Sequence, residues 1–210
     1  MEFERFPEHQ GLVKTVLVSQ GPGRQYILNM MIPIFSLLLL TTVVVAAPIA
    51  ANTPSIIQES FDRRTQVNQV GMTVLGAWAI GNIAVGTSLA IAGVGDPAFH
   101  QMNALWNTVN LGLATFSLIQ ARRALTPPTL AKEIQAQHSI EKVLLFNAGL
   151  DLGYMATGLW LREMNSGPWA EELPGWGNAL ILQGAFLFVF DLVLFAVHRR
   201  NRIYEGALAD

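Results

Sequence analysis

Four stretches of this chain are apolar over lengths close to the roughly 20 residues that a helix needs to cross a bilayer. They run over 70–94, 103–121, 139–161 and 177–198, with short polar connections between them. This pattern predicts an all-α fold, a polytopic transmembrane four-helix bundle, because short loops make successive helices antiparallel neighbours. Composition points the same way. Charged residues are 13% of the chain and hydrophobic ones 51%, against about 25% charged in soluble domains. A formal net charge of -2 excludes a generally basic nucleic-acid binder. With no cysteine, disulfides, thiolate metal sites and thiol catalysis are excluded as well.

An extra hydrophobic segment, 27–51, precedes the four. Its core, MMIPIFSLLLLTTVVVAAPIAA, reads as a secretory signal ending in small residues (Ala46, Ala47, Ala50, Ala51) suited to a peptidase. Three features oppose cleavage. A start at Met1 makes the preceding region too long, a start at Met30 leaves it without positive charge, and Pro48 directly follows Ala47. A signal peptide and a fifth span both stay open. The expected organisation is a polar extension over 1–26, the signal-like segment over 27–51, an amphipathic linker over 52–69, the four-helix domain over 70–200 and a C-terminal tail over 201–210.

Charge gives an orientation. Arg63 and Arg64 precede the first core segment, Arg122, Arg123, Lys132 and Lys142 lie between the second and third, and Arg199, Arg200 and Arg202 follow the fourth. The connections on the other side hold Arg162 beside Asp96, Glu163, Glu171 and Glu172. The positive-inside rule therefore puts the start of the first segment, the loop between the second and third, and the C-terminus in the cytoplasm. This favours retention of the 27–51 block as a span with its N-terminus outside. Trp106, Trp160, Trp169 and Trp176 gather toward the opposite face, as an interfacial aromatic belt would.

Polar residues within the apolar stretches are the informative ones. At about 100° per residue, Asn147, Asp151, Tyr154 and Gly158 fall within an arc of roughly 60°, and Gln183, Asp191 and His198 within about 80°. Asn103, Trp106, Asn107 and Asn110 share one face of the second segment, and Asn68, Trp78, Asn82 and Gly86 one side of the first. Turning all four stripes inward gives a candidate intramembrane cluster of Asn82, Asn107, Asn110, Asn147, Asp151, Tyr154, Gln183 and Asp191. Counted from the cytoplasmic edge, Asn82, Asn110 and Asp151 lie about 17 Å deep, and Asp191 and Asn147 about 11 Å. Two layers are expected, with His138, Glu141 and His198 at the cytoplasmic mouth. Buried carboxyls in a membrane point to a site for an ion, a proton or a small ligand. The alternative is an interhelical hydrogen-bond network that fixes one register, which suits Asn because it both donates and accepts.

Other signals are weaker. Gly149 with Gly153, and Ala77 with Gly81, form small-xxx-small pairs that suit close helix packing within the bundle. His100, His138 and His198 stand near helix ends rather than paired at mid-depth, and read as interfacial or capping residues rather than haem or metal ligands. Residues 93–96 spell GxGD, an intramembrane aspartyl protease motif, but they sit in a polar turn before Pro97 without the partner motifs. No phosphate loop, GxSxG elbow or HExxH occurs. No catalytic, cofactor or metal set is expected.

The phrases GMTVLGAWAIGNIAVG, FHQMNALWNTVNLGLA, QHSIEKVLLFNAGLDLGYMATGLWLRE and QGAFLFVFDLVLFAVHRR together resemble a bacterial family of small four-helix membrane proteins known as a domain of unknown function. The resemblance covers about 68–200. It implies a multi-pass protein of the bacterial inner (plasma) membrane, and an N-terminal signal-like segment, without implying an activity. Three functions compete. The first is an integral membrane protein whose inward Asn/Asp cluster binds or passes a small solute or proton. The second is a structural or assembly subunit, with another membrane protein or a second copy as partner. The third is a membrane enzyme on lipid, with His138 and Glu141 as acid and base. The partners expected in every case are the lipid bilayer and no nucleic acid.

Overall fold

Four punctuation sites in the sequence decide where the helices begin and end. The computed structural model describes residues 55–127, 129–164 and 166–202, which form four α-helices. These are α1 (Ser55–Ala92), α2 (Pro97–Arg123), α3 (Leu130–Glu163) and α4 (Leu173–Arg200). The 1–26 extension, the 27–51 signal-like segment and residues 203–210 of the tail lie outside the described residues.

Between α1 and α2, Gly93 and Gly95 take φ of 67° and 79°, a left-handed region costly for residues with a Cβ. Asp96 then caps α2, its Oδ1 accepting from the Ala98 and Phe99 amides at 2.9 and 3.3 Å, with Pro97 in the first turn. The GxGD sequence is thus a turn and a cap. The imidazole Nε2 of His100 bonds the Val94 carbonyl at 2.9 Å and ties the turn down. Thr129 caps α3 through the Lys132 amide at 3.3 Å. Gly167, at φ 103°, turns the chain before α4.

The helices run up and down. Ser60 and Arg64 of α1 reach Glu133 of α3, so those N-termini share one end. Gly175 of α4 lies against Asp96 and Ala98, so α2 and α4 start at the other end. Arg63 and Arg64 in the opening turns of α1, Arg122 and Arg123 at the end of α2, Lys132 in early α3, and Arg199, Arg200 and Arg202 at and just after the end of α4 consequently collect at one end, hereafter the basic end. The largest packing surfaces are α3 on α4 and α1 on α2, with α2 on α4 joining the two pairs.

Close approach of α3 and α4 rests on glycine. A Cβ on Gly158 would stand 2.6 Å from the Gly177 carbonyl oxygen, and one on Gly184 2.9 Å from the Asp151 carbonyl. The small pair expected to pack inside, Gly149 and Gly153, does not: neither has a neighbour within 4 Å, and both face outward with Gly81. The 3.6-residue period puts those glycines on the side of α3 opposite Ala148 and Asp151.

Three further expectations change. Residues 55–69, read as a linker, are the opening turns of α1. Trp106 and Trp176 are buried rather than part of an interfacial belt, and of that group Trp160 is well exposed. α2 and α3 also extend past their apolar stretches, α3 by nine residues at its start.

The core mixes apolar side chains such as Leu75, Met102, Leu144 and Leu180 with many polar ones. Large apolar side chains face outward, among them Val70, Val85, Val189 and Leu152 at 50% exposure or more, while Asn107, Gln183, Glu133 and His198 are fully buried. Two helices, 56–92 and α4, are long and apolar enough to cross a membrane. Only 22% and 28% of their apolar stretches are buried, whereas the core helix of a soluble protein is mostly covered.

Candidate functional site

Helical phase brings the interior polar residues together in three groups along the bundle axis. The first joins α1, α2 and α4. Gln183 donates to Asn103 Oδ1, and its own Oε1 accepts from Trp78 Nε1 at 3.1 Å and Asn110 Nδ2 at 3.5 Å. Asn103 also donates to Asn82 Oδ1 at 3.0 Å, Asn107 Nδ2 returns to Asn103 Oδ1 at 3.2 Å, and Asn110 Nδ2 reaches Asn107 Oδ1 at 3.5 Å. Asn82 in turn donates to the Trp78 carbonyl at 2.9 Å. The Trp78 ring stacks flat on Phe186 at 3.9 Å. Every member is a neutral amide or indole, and the amides satisfy one another, as burial of polar groups demands.

The second group lies on the seam of α3 and α4. Side chains on a helix lean toward its N-terminus. On antiparallel α3 and α4, Asp151 and Asp191 therefore lean toward each other, and their carboxyls come close enough to act on one another. Both residues are buried, Asp151 at 3% and Asp191 at 6% exposure. Tyr154, one turn beyond Asp151, lies edge-on to Trp106 at 4.8 Å. Asn147 sits one turn before it. Asp151 Oδ2, Tyr154 Oη and Asn147 Oδ1 are buried without a hydrogen-bond partner. Unlike the amide group, this one has capacity left over.

The third group closes the basic end. Gln137 Nε2 donates to Glu141 Oε1 at 3.0 Å and to the His198 carbonyl at 2.9 Å, and lies 3.4 Å from His198 Nδ1. Arg202 holds Glu141 through Nε at 2.8 Å and through Nη2. Nearby, Arg64 grips Glu133 with both arms of its guanidinium at 2.7 and 2.9 Å, and Ser60 adds a bond to the same carboxylate.

The expected layers are regrouped. Asp151 meets Asp191, not Asn82 and Asn110, because the lean of the two carboxyls closes a gap that Cα depth alone leaves open. Asn82, Asn107, Asn110 and Gln183 form their own network, with Asn103 and Trp78 as members. His198 is fully buried instead of lining a mouth, Glu141 is engaged by Arg202, and His138 is half-buried. Sequence reasoning missed Glu133 and Gln137. Their signal was present: 133, 137, 141, 144, 148 and 151 step by four, four, three, four and three, one continuous inward face. The apolar stretch begins only at Ser139, nine residues after the helix does, so hydropathy does not mark these two positions. Among the described residues, no three His, Asp or Glu side chains gather as a metal site.

Residues 74–192, more than half of the chain, match the family described as "Family of unknown function (DUF6992)". The matched span holds the whole amide network and both aspartates, and leaves out Arg64, His198 and Arg202. This agrees with the resemblance to an uncharacterised family read from the sequence. No curated protein and no solved structure matches the chain.

Proposed function

The chain belongs to this family of unknown function, and we propose from its geometry that it is a four-span integral membrane protein whose Asp151–Asp191 pair binds and releases a proton or small cation. The observation that carries the reading is two buried carboxyls side by side in an interior otherwise neutral at that depth. Two carboxylates so placed repel strongly when both are ionised, and a hydrogen bond between them requires one to hold a proton. A neutral amide would serve structure alone without that cost, as the nearby Asn and Gln residues do. The apolar exterior supports a lipid surrounding. The collected basic residues support the inner membrane of a bacterium, with the basic end and C-terminus in the cytoplasm.

The experiment is proton uptake and flux in reconstituted vesicles, with folding checked for each variant. Asp151→Asn and Asp191→Asn are expected to abolish the uptake while keeping the helices. If both variants leave folding, ligand response and proton flux unchanged, the proposal is wrong.

A second reading, a subunit of a membrane assembly, draws on the outward Gly149 and Gly153 flanked by exposed Phe146 and Trp160. Small residues let another helix approach closely. Native purification yielding a lone monomer, with no co-purifying chain, would remove it.

A further inference from the structure

The interior is chemically asymmetric about the aspartate pair. On the side where α4 begins, Tyr154 stands beside the pair and Gln183, Asn103, Asn107, Asn110, Asn82 and Trp78 follow, none of these six titrating; His100 at that end is buried with Nδ1 unpartnered, but its Nε2 is taken by the Val94 carbonyl. Each of these amides is hydrogen-bonded to another member of the group, and none is an acid or a base that exchanges a proton at ordinary pH. On the side where α4 ends, the buried groups are of a different kind. Asn147 Oδ1 is without a partner, and two turns beyond Asp191 the fully buried His198 has an unpartnered Nε2. Beside His198 lie Gln137 and the Glu141–Arg202 pair. Of the five buried side-chain atoms without a partner among the described residues, four (on Tyr154, Asp151, Asn147 and His198) belong to α3 and α4.

We infer that the Asp151–Asp191 pair exchanges its proton with the basic end alone, through His198, and is a one-sided proton-binding site rather than a step in a path across the bundle. The inference rests on the proposed reading of the pair as protonatable, and it names the proton as the ligand. The proton comes from a buffer acid at the basic end and returns there. His198 relays the proton in this exchange, taking it up on one ring nitrogen as it releases the proton of the other.

Seven residues separate Asp191 from His198 on α4, about 10.5 Å at 1.5 Å per residue, too far for direct transfer. Leu194 fills the interval, its two methyls 2.9 Å from where a Cβ on Gly71 would stand. The missing side chain of Gly71 gives Leu194 its place, and a turn of Leu194 about its χ angles would let water bridge the unpartnered atoms. The charged and titratable groups facing this region are few. α3 supplies Tyr154 beside the pair, and Glu141 and the Arg64-bound Glu133 at the end. α1 contributes Arg64, which acts on His198 from the basic end. α2 turns Trp106 and amides inward, with His100, Arg122 and Arg123 at its own ends.

The test uses the full chain in vesicles of one orientation, established by protease access to a C-terminal tag. The pH is stepped on one face at a time with an impermeant buffer. The readout is the infrared carbonyl band of a protonated carboxyl, assigned to the pair by its loss in Asp151→Asn or Asp191→Asn, with Asp191→Glu as the variant that keeps a carboxyl. The wild-type band is expected to follow steps at the C-terminal face at least about tenfold faster than steps at the other face. Leu194→Ala speeds that response, and His198→Gln slows it by about tenfold or more with the band retained. A band that follows both faces equally, or the opposite face faster, overturns the one-sided exchange and leaves the binding site standing. A wild-type chain with no such band at any pH overturns the binding site and this inference together.

Discussion

Gly177→Ala tests whether the α3–α4 seam, and with it the meeting of the two aspartates, depends on backbone contact. A Cβ on Gly158 would lie 2.6 Å from the Gly177 carbonyl oxygen, and a Cβ on Gly177 would lie closer still to the Gly158 carbonyl. Ordinary contact begins near 3.4 Å, so a Cβ on Gly158 would force the helices about 0.8 Å apart and one on Gly177 further than that. Neither atom at the clash is the end of a flexible side chain, so rotamer changes give no relief. A gap of that size forfeits a quarter to a half of each dispersion contact, and overpacking of this kind costs about 2–3 kcal/mol. Alanine returns up to about 1 kcal/mol through its better helix propensity, leaving a net loss of about 1–2 kcal/mol. Because the two glycines press on each other, Gly158→Ala and Gly177→Ala together cost less than the sum of the singles. The assay is unfolding by heat or denaturing detergent in one fixed detergent, with Gly149→Ala and Gly153→Ala as controls of equal chemistry. Those two have open space within 4 Å and are expected at the wild-type midpoint or slightly above. A Gly177→Ala chain as stable as wild type, or a Gly149→Ala chain as damaged as Gly177→Ala, refutes the reasoning.

Removal of Arg64 leaves the fully buried Glu133 carboxylate without its bidentate partner, so Arg64→Ala should lose about 3 kcal/mol in the same unfolding assay. Arg63→Ala breaks an ion pair whose side chains are about half exposed and should change stability by less than about 0.5 kcal/mol. Gln183→Leu strips Trp78 Nε1 and Asn110 of their shared acceptor and should cost about 2 kcal/mol, with a change in indole fluorescence at Trp78. Asp96→Ala removes the α2 cap and should cost about 1 kcal/mol, read as a lower melting midpoint with helicity otherwise kept.

Periodicity suffices to place most of the polar residues that turn inward. Phase alone placed Asn147, Asp151 and Tyr154 on one face, and Gln183, Asp191 and His198 on another, and those faces do turn inward. What phase could not supply was pairing across helices. Asp151 and Asp191 differ in depth by about four residues from the basic side, and only the opposite lean of side chains on antiparallel helices brings them into contact. The Glu133–Gln137–Glu141 face was hidden for another reason. Those residues continue the inward stripe beyond the apolar stretch, so a reading bounded by hydropathy ends too early. Gly149 and Gly153 mislead in the converse sense: the spacing is right for close packing, yet their phase points away from α4. The contact is made by Gly158, Gly177 and Gly184, no two of which share a GxxxG: Gly158 is on α3, and Gly177 and Gly184 are seven residues apart on α4.

On the proposed four-span reading, the fact that only two of the four helices are apolar enough by themselves to cross a membrane follows from their outward apolar and inward polar faces. An average over a window counts every side of a helix, and α2 and α3 turn their polar sides to the interior. On α2 the buried side carries Asn103, Asn107 and Asn110, while Leu105, Phe116 and Ile119 are exposed. On α3 it carries Gln137, Glu141 and Asp151, while Leu145, Phe146, Leu152, Leu159 and Trp160 are exposed. Water would be a poor solvent for those outer faces, and lipid a poor one for the inner faces. Only burial of the inner faces against α1 and α4 answers both demands. A span that encloses a polar site must look less apolar than one that does not. On this account the low average of α3 and the presence of Asp151 have one cause, and the four-span reading and the carboxyl-pair reading support each other.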